Sequence, residues 1–176
     1  MSIPEEPVET VWQGKWITAK RQGKWEYVSR RGNLQAAVIV AIDDGAVILV
    51  EQYRMPLGRR CLELPAGIVG DEIEGESVED SAGRELEEET GYRADSIESL
   101  GDFYSSPGLA SEGFTLVRAT GLTKVSEGGG TTDEDITVHR IARDALPAFV
   151  EAKRAEGVAI DVKLLLLISG ALLGAD

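Results

Sequence analysis

Runs of apolar residues separated by turn-forming residues predict a chain rich in β-strands. Two long runs, over residues 36–42 and 46–53, flank Asp43-Asp44-Gly45, and an Asp-Gly pair between two apolar runs is a strong signal for a hairpin turn. Shorter apolar or alternating stretches predict further strands over residues 61–64, 97–105, 114–120 and 136–141. Ahead of them, residues 10–36 carry aromatic and basic side chains around a Gln22-Gly23 turn, and we interpret this segment as a small hairpin.

Three segments have the pattern of helices: residues 77–90, 145–155 and 159–173. The first has the strongest signal, because Ser77 is placed to cap the first turn, Asp80 stands three residues later, and Gly91 stands at the expected end. Residues 121–135 lie between two predicted strands and include three consecutive glycines, which predicts a mobile loop.

Composition and charge limit the classes of partner. The chain has 176 residues, of which 43% are hydrophobic and 28% charged, so it is long enough for one globular domain with a small appendage. Its 31 acidic side chains against 18 basic ones give a net charge of -13, and a field of that sign repels nucleic acid and anionic membranes. We therefore expect no nucleic-acid partner and no membrane partner, and a polyanionic substrate would need metal ions as intermediaries.

Cysteine usage and the N-terminal residues favour a cytoplasmic protein. Cys61 is the single cysteine, which excludes an internal disulfide. The first ten residues lack the basic start and apolar run of a secretory signal, and no apolar run approaches the roughly 20 residues that a bilayer span needs. We interpret Cys61 as a small buried hydrophobe and the single histidine, His139, as a structural strand residue.

The predicted helix over residues 77–90 carries a group of carboxylates on one side. With Glu85 at zero on a helical wheel, Glu88 and Glu89 fall within about 60° of it, so three carboxylates share one arc. The apolar stripe of the helix overlaps this arc, which places the carboxylates at the edge of a buried surface, where their mutual repulsion needs neutralising. A hard divalent cation with oxygen ligands would neutralise them. A helix whose charges simply face solvent is the alternative that the geometry leaves open.

The sequence of residues 70–92, GDEIEGESVEDSAGRELEEETGY, resembles the Nudix box, G-x5-E-x7-R-E-U-x-E-E-x-G-U, with U an aliphatic residue. The matching positions are Gly70, Glu76, Arg84, Glu85, Leu86, Glu88, Glu89 and Gly91. Tyr92 departs from the aliphatic last position, and Gly67 in the preceding Pro-Ala-Gly turn is a second candidate for the box glycine. By this resemblance the chain is identified as a member of the Nudix hydrolase family, which implies hydrolysis of a nucleoside diphosphate linked to another moiety.

Three features outside the box resemble the ADP-ribose pyrophosphatase branch of that family. They are Gln52-Tyr53-Arg54 with the Leu-Glu-Leu-Pro-Ala-Gly run over residues 62–67, Pro107 at 16 residues beyond Gly91, and the aromatic N-terminal segment. The resemblance implies an α/β fold, the Nudix α/β/α sandwich with a mixed sheet, plus an N-terminal β-subdomain. We expect the β-subdomain over residues 1–36 and the Nudix hydrolase domain over residues 37–176, with the subdomain forming a homodimer.

The resemblance also implies a metal site and a general base. The implied ligands of Mg²⁺ or Mn²⁺ are the main-chain carbonyl of Ala66 and the side chains of Glu85, Glu88 and Glu89. Arg84 would orient the glutamates, and both Arg84 and Glu88 would take part in catalysis. Glu134, in Asp133-Glu134-Asp135 of the predicted loop, would act as general base or as a further ligand, and Glu112 is the competing candidate for the base.

For substrate binding, the resemblance implies contacts at both ends of the molecule. Arg54 would contact the phosphates, and Pro107 marks a loop characteristic of the branch. Trp16 and Trp25 would sandwich the adenine, the latter across the dimer, and Glu26 would accept a hydrogen bond from the base. A packing role is the alternative for either tryptophan.

We therefore expect Mg²⁺-dependent hydrolysis of ADP-ribose to AMP and ribose 5-phosphate, or of a related nucleoside diphosphate sugar. A hydrolase of GDP-mannose is the nearest alternative enzyme, and a Nudix domain that only binds its nucleotide is the alternative from another class. Residues 71–98 hold 12 acidic and 2 basic side chains, so this segment contributes -10 of the net charge of -13. The excess of acid is therefore mostly local to the proposed metal site.

Overall fold

The computed structural model describes residues 6–70, 73, 75–131 and 134–173, apart from the side chains of residues 33 and 170–173. Asp133 of the predicted loop lies outside the described residues. The strands are β1 (Glu9–Gln13), β2 (Ile17–Gln22), β3 (Trp25–Arg30), β4 (Ala36–Asp43), β5 (Ala46–Arg54), β6 (Arg59–Glu63), β7 (Ala66–Ile68), β8 (Tyr92–Tyr104), β9 (Gly113–Lys124), β10 (Thr137–Ala142) and β11 (Ala159–Ile160). The α-helices are α1 (Val78–Thr90), α2 (Leu146–Ala155) and α3 (Leu165–Leu173).

The N-terminal residues form a separate antiparallel sheet of three strands in the order β1-β2-β3. The predicted hairpin corresponds to β2 and β3, and β1 adds a third strand through pairs such as Thr10 with Lys20. All five residues of β1 are exposed, so its sequence has no inside-outside alternation that would have predicted it. The expected N-terminal β-sheet is therefore confirmed, while the domain boundary between residues 36 and 37 stays a prediction.

The second sheet has eight strands and mixed direction. Six of them run in the order β11-β6-β5-β4-β9-β8, with β10 beside β5 and β7 beside β4. Strand β4 pairs in parallel with β9 and antiparallel with β5 and β7. The hairpin between β4 and β5 turns at Asp44 and Gly45, with φ of 45° and 70°, which are the positive angles that a two-residue hairpin turn requires.

Two hydrophobic cores lie on opposite faces of this sheet. Alternate residues of β4 point to the two sides: Val38 and Val40 pack with α2 and α3, while Ala37 and Ile39 pack with α1. The sheet is thus covered by helix on both faces, which confirms the expected α/β/α sandwich with a mixed sheet. Among the described residues, none of the helices has the length and apolarity needed to cross a bilayer.

The last predicted helix is wrong in its first part. Residues 159–160 form β11, which pairs in parallel with β6, and Val162–Leu164 form a 3₁₀ turn before α3 begins. The Asp161 side chain accepts a hydrogen bond from the main-chain N–H of Lys163 (2.8 Å), and the Asp161 N–H donates to the Leu62 carbonyl (3.0 Å). Pairing with the sheet and a cap at Asp161 therefore override the apolar pattern that suggested a continuous helix.

Candidate active site

Helix α1 is held at both ends by the residues that predicted it. The Ser77 hydroxyl accepts a hydrogen bond from the Asp80 N–H (3.1 Å) and donates one to the Asp80 carboxylate (2.7 Å). Gly91 ends the helix with φ of 72°, and its N–H donates to the Glu87 carbonyl (2.9 Å). Leu86 is fully buried against the sheet, so the neighbouring carboxylate arc lies at the edge of the core.

Glu89 is a buried carboxylate, with 4% of its surface exposed. Its Oε2 accepts a hydrogen bond from the main-chain N–H of Ala66 (3.1 Å). Burial raises the pKa of Glu89 to about 8, and the negative charges of Glu85 and Glu134 add to this rise. The hydrogen bond from the Ala66 N–H and the positive charge of Arg54 oppose it. Negative charge is therefore concentrated around Glu89 in a place that water reaches poorly.

Arg84 lies among three of the carboxylates and is itself mostly buried. Its Nη1 is 3.1 Å from Glu85 Oε1 and 3.2 Å from Glu88 Oε2, and its Nη2 is 3.4 Å from Glu76 Oε2. The guanidinium fork can hold several carboxylate oxygens at once, since it presents five donors in a rigid plane. Arg84 is thus placed where the sequence suggested an orienting residue.

Gly67 is required by the close approach of β7 to α1. A Cβ atom at position 67 would lie 2.0 Å from Cδ of Glu85, which leaves room for no side chain unless that carboxylate moves. Gly70, the other candidate for the box glycine, has its nearest such contact at 3.8 Å and is needed instead for its φ of 80°. The two glycines therefore serve different purposes, and Gly67 is the one in contact with the carboxylate helix.

The carboxylates fit a divalent cation by their chemistry. Among the described residues, no three acidic, histidine or cysteine side chains converge on a single point. Glu85 and Glu88 are turned to Arg84, and Glu89 is turned to Ala66. All three are hard oxygen donors on adjacent turns, and the buried charge of Glu89 beside Glu85 is of the kind that such a cation neutralises.

A cleft of about 360 Å³ opens beside these residues, between the N-terminal sheet and the larger sheet. Ala66, Gly67 and Arg54 lie on its wall. Arg54 is held by a fork to the buried Glu63, with Nε to Oε1 at 2.6 Å and Nη2 to Oε2 at 2.8 Å. This pair fixes the Arg54 guanidinium on the cleft wall, within electrostatic reach of Glu89, where a phosphate can pair with it.

Two charged residues of the cleft, Arg30 and Lys163, had no signal in the sequence, and Glu63 appeared there only as part of the Leu-Glu-Leu-Pro-Ala-Gly run. Arg30 comes from β3 and donates through Nε to Glu112 Oε1 at 2.5 Å. These two residues are 82 positions apart, so only the tertiary fold reveals the pair. Glu112, a candidate for the base, is consequently engaged with the N-terminal sheet.

Glu134, the other candidate, lies near the C-terminal end of α1. Its Oε2 accepts a hydrogen bond from the Thr131 N–H (2.8 Å), and its negative charge contributes to the raised pKa of Glu89. The preceding glycines rest on the helix end: the Gly129 N–H donates to the Glu89 carbonyl (2.8 Å) and the Gly130 N–H donates to the Glu88 carbonyl (3.0 Å). The predicted loop is thus attached to the carboxylate helix at its glycine run, and it begins after β9 ends at Lys124.

The predicted adenine-binding residues lie on the N-terminal sheet. Trp16 and Trp25 are 65% and 53% exposed, so neither packs into a core of this chain, and Glu26 beside Trp25 is also exposed. The loop that contains Pro107 is attached to the same sheet, because the Val28 N–H donates to the Leu109 carbonyl (2.9 Å). The structure therefore connects the Pro107 loop with the strand that carries Trp25.

Two residues interpreted as structural are placed accordingly. Cys61 is buried in β6, and burial raises the pKa of its thiol to about 12, so it is no thiolate nucleophile at neutral pH. His139 lies in β10 with its Nε2 3.0 Å from Glu51 Oε2 and its ring against Phe149.

The fold and the carboxylate helix define a family. Residues 33–156 match the NUDIX domain, and the chain belongs to this family, whose hydrolases generally use divalent metal ions. A protein named ADP-ribose pyrophosphatase from Bacillus subtilis (strain 168) is 40% identical over 107 residues, which cover 61% of this chain and 55% of that relative. A protein named methanol dehydrogenase activator from Bacillus methanolicus is 38% identical over 119 residues, 67% of this chain and 63% of that relative.

Two further comparisons cover more of the chain. A GDP-mannose pyrophosphatase from Cronobacter sakazakii (strain ATCC BAA-894) is 32% identical over 166 residues, 88% of this chain and 78% of that relative. A solved structure described as an ADP compounds hydrolase superposes with a TM-score of 0.67 at 27% identity and covers 96% of this chain and 92% of its own. The two Bacillus relatives match over less than two thirds of their own length.

Proposed function

We propose that this protein hydrolyses the pyrophosphate bond of ADP-ribose, or of a related nucleoside diphosphate sugar, with Mg²⁺ as its metal. The observation that carries the proposal is one cleft whose wall includes both Arg54, fixed by the buried Glu63, and Ala66, whose N–H binds the buried carboxylate Glu89. A pyrophosphate needs a positive partner and a metal site side by side, and this cleft combines them. The names of the ADP-ribose pyrophosphatase and ADP compounds hydrolase relatives agree with this substrate class.

On this proposal, the chain's own residues divide the work. Glu85, Glu88 and Glu89 would hold the metal together with the Ala66 carbonyl, and Arg84, which contacts Glu85 and Glu88, would keep them in place. When bound, Mg²⁺ would neutralise phosphate charge and acidify a water molecule. Arg54 pairs with a phosphate oxygen, and a Glu134 carboxylate oxygen accepts the proton of the attacking water. The products are AMP and ribose 5-phosphate.

Adenine recognition and dimerisation are proposed to share the N-terminal sheet. Trp16 and Trp25 enclose the adenine, with Trp25 contributed across a homodimer, and Glu26 accepts from the base. Support comes from the exposed Val11 and Trp12 on the edge strand β1, at 58% and 56%, since apolar surface of this kind marks interaction sites. A dimer mass in light scattering that a Trp12→Ser substitution reduces to a monomer mass tests the assembly, and a wild-type monomer would contradict it.

A panel of nucleoside diphosphate derivatives assayed with Mg²⁺ tests the substrate. We expect AMP release from ADP-ribose with a kcat/KM at least about tenfold above that for GDP-mannose, because a specific base pocket discriminates by more than 1.4 kcal/mol. The GDP-mannose pyrophosphatase relative makes the reverse preference the second candidate. Equal or inverted rates would reject ADP-ribose as the preferred substrate.

The base is tested by comparing Glu134→Gln with Glu112→Gln. Loss of a general base costs about 10²–10⁴-fold in rate. We expect the loss in kcat at Glu134, while Glu112→Gln, which breaks the ion pair with Arg30, should act mainly on KM. A far larger kcat loss at Glu112 would reverse the assignment.

A domain that binds its nucleotide without hydrolysing it is the alternative from another class. The methanol dehydrogenase activator shows that relatives of this chain are named for effects on another protein. Tight binding of ADP-ribose in calorimetry, with no product from any member of the panel in the presence of Mg²⁺ or Mn²⁺, would establish the binding module and reject the enzyme.

A further inference from the structure

A buried polar network lies where β5, its two neighbours β6 and β10, and helix α2 meet. Glu51, only 6% exposed, has its carboxylate 2.9 Å from Arg60 Nε, 3.0 Å from His139 Nε2 and 3.1 Å from Lys153 Nζ. Burial works to raise the pKa of Glu51, but hydrogen bonds from Lys153, His139 and Arg60 outweigh it and lower the pKa below its ordinary value. Glu51 is therefore a fixed anion at neutral pH, and Arg60 is held by it.

Arg60 connects this anion to the segment that carries Glu134. Its Nη1 donates to Asp135 Oδ2 (2.8 Å), and its Nη2 donates to Thr137 Oγ1 (3.0 Å) and to the Glu51 carbonyl (2.7 Å). All three guanidinium nitrogens thus have partners. The Asp135 side chain is 87% exposed, so Arg60 reaches from the sheet to the surface to hold it.

Glu134 consequently lies between two attachment points. On one side, the Gly130 N–H donates to the Glu88 carbonyl at the end of α1, and the Thr131 N–H donates to Glu134 itself. On the other side, the next residue, Asp135, is bound by Arg60. Glu134 therefore lies in sequence between a contact to α1 and the contacts that Arg60 makes with the Asp135 side chain and carbonyl.

We propose that Arg60 is a positioning residue that sets, through Asp135, the reach of Glu134 toward the carboxylates of α1. The inference rests on the proposed function, in which Glu134 is the general base. A base must lie within hydrogen-bond distance of the proton that it accepts, and small displacements cost large factors in rate. An arginine that is bound to a buried carboxylate holds such a base more rigidly than an arginine whose contacts are all exposed.

The test is a double-mutant cycle on kcat between Arg60→Gln and Glu134→Gln. Arg59→Gln is the matched control, since Arg59 is the adjacent, exposed arginine on the same strand. With wild-type Glu134, we expect Arg60→Gln to lower kcat by at least about tenfold and to leave KM within about twofold, because binding of the substrate does not need the base. With Glu134→Gln, the same change should lower kcat by less than about twofold.

The outcomes separate this inference from the proposed function. If Glu134→Gln alone leaves kcat near normal, the proposed base is wrong. If Glu134→Gln loses activity but Arg60→Gln does not, or loses the same factor in both backgrounds, only the positioning role fails. Asp135→Ala removes the side-chain ion pair and leaves both the buried network and the contact of Arg60 Nη2 with the Asp135 carbonyl (3.3 Å), so it tests the ion pair should Arg60→Gln fold poorly.

Hydrogen exchange gives a readout that needs no turnover. In metal-free protein, Arg60→Gln and Asp135→Ala should raise amide exchange in peptides covering residues 126–138, while Arg59→Gln should leave it unchanged. Unchanged exchange in both variants would show that Arg60 does not hold this segment, and it would overturn the proposal.

Discussion

Substitution of Glu89 by glutamine should stabilise the metal-free protein, and by an amount that grows with pH. Glu89 is buried, and burial raises its pKa to about 8, so ionisation of this carboxyl is unfavourable in the folded state. Glutamine has the same shape and its amide oxygen can still accept the Ala66 N–H, but it carries no charge. Glu89→Gln therefore removes the cost of a buried charge with little change in packing.

The magnitude follows from the pKa difference between the folded and unfolded states. Between about 4.5 and about 8 the folded protein binds a proton that the unfolded chain has released, so wild-type stability falls as pH rises through this window. At 1.36 kcal/mol per pKa unit, the full cost above pH 8 is on the order of 5 kcal/mol. Near pH 5, where the carboxyl is protonated in the folded protein, the variant should differ little from wild type.

The assay is urea denaturation followed by circular dichroism, at pH 5, 7 and 8.5, in the presence of a chelator. Glu87→Gln is the matched control, because Glu87 lies on the same helix but is partly exposed, and a hydrogen bond from Arg93 lowers its pKa. This control should not gain stability as pH rises. A gain at Glu89 that is the same at all three pH values, or a loss at pH 8.5, would refute the reasoning.

Added Mg²⁺ should narrow the difference in stability between the two proteins. A ligand that binds only the folded state stabilises it by RT ln(1 + [L]/Kd), about 2.7 kcal/mol at a hundred times Kd. Wild type, with Glu89 as a ligand, should gain stability from Mg²⁺ at pH 8.5, and Glu89→Gln should gain much less. Equal gains in both proteins would remove Glu89 from the metal site.

Three further substitutions, the first with its own control, test the metal site, the adenine site and the buried network around Glu51. Gly67→Ala should weaken the apparent Mg²⁺ affinity by about tenfold or more with little change in melting temperature, because the new Cβ displaces the flexible end of Glu85. Gly83→Ala is the control and should leave activity intact, because its Cβ would meet Ile97 at 3.3 Å and no carboxylate. Trp25→Ala should raise KM for adenine substrates by about tenfold at similar kcat, and an unchanged KM would make this ring a packing residue. Glu51→Gln should lower the free energy of unfolding by about 2 kcal/mol at pH 7. A carboxyl whose pKa is lowered in the folded state stabilises the fold only while it is ionised. Urea titrations should therefore show the difference from wild type vanishing as pH falls through the lowered pKa of Glu51.

Local signals explain why α1 and its chemistry could be predicted from the sequence. Ser77, Asp80 and Gly91 act within a few residues of the helix ends, and the arc of glutamates follows from helical geometry alone. The hairpin at Asp44-Gly45 is equally local, because the turn type is set by its two central residues. Such features can be predicted because the interacting residues are neighbours in the sequence.

The contacts that complete the site are non-local and carry no such pattern. Arg30 pairs with Glu112 across 82 positions and Arg60 with Asp135 across 75, and a charged residue on a strand does not indicate its partner. Short edge strands are hidden for a related reason: β11 has two residues and exists through its pairing with β6. These features follow from the assembled sheet and were therefore out of reach.

The acidic segment of the chain contains carboxylates at the surface and carboxylates shielded from water. This difference in exposure decides which of them need a cation to balance their charge. Asp80 caps the helix and Glu87 pairs with Arg93 at the surface, so solvent and salt screen these charges. Glu76 and Glu89 are shielded from water, one beside Arg84 and the other at the cleft, where screening is weak. Arg84 contacts several carboxylates, while Glu89 faces a main-chain N–H, so Glu89 is the carboxyl whose ionisation most needs a cation. Glu89 binds the N–H of Ala66, on the cleft wall that also carries Arg54, so a cation at Glu89 and a phosphate at Arg54 would lie near enough to stabilise each other.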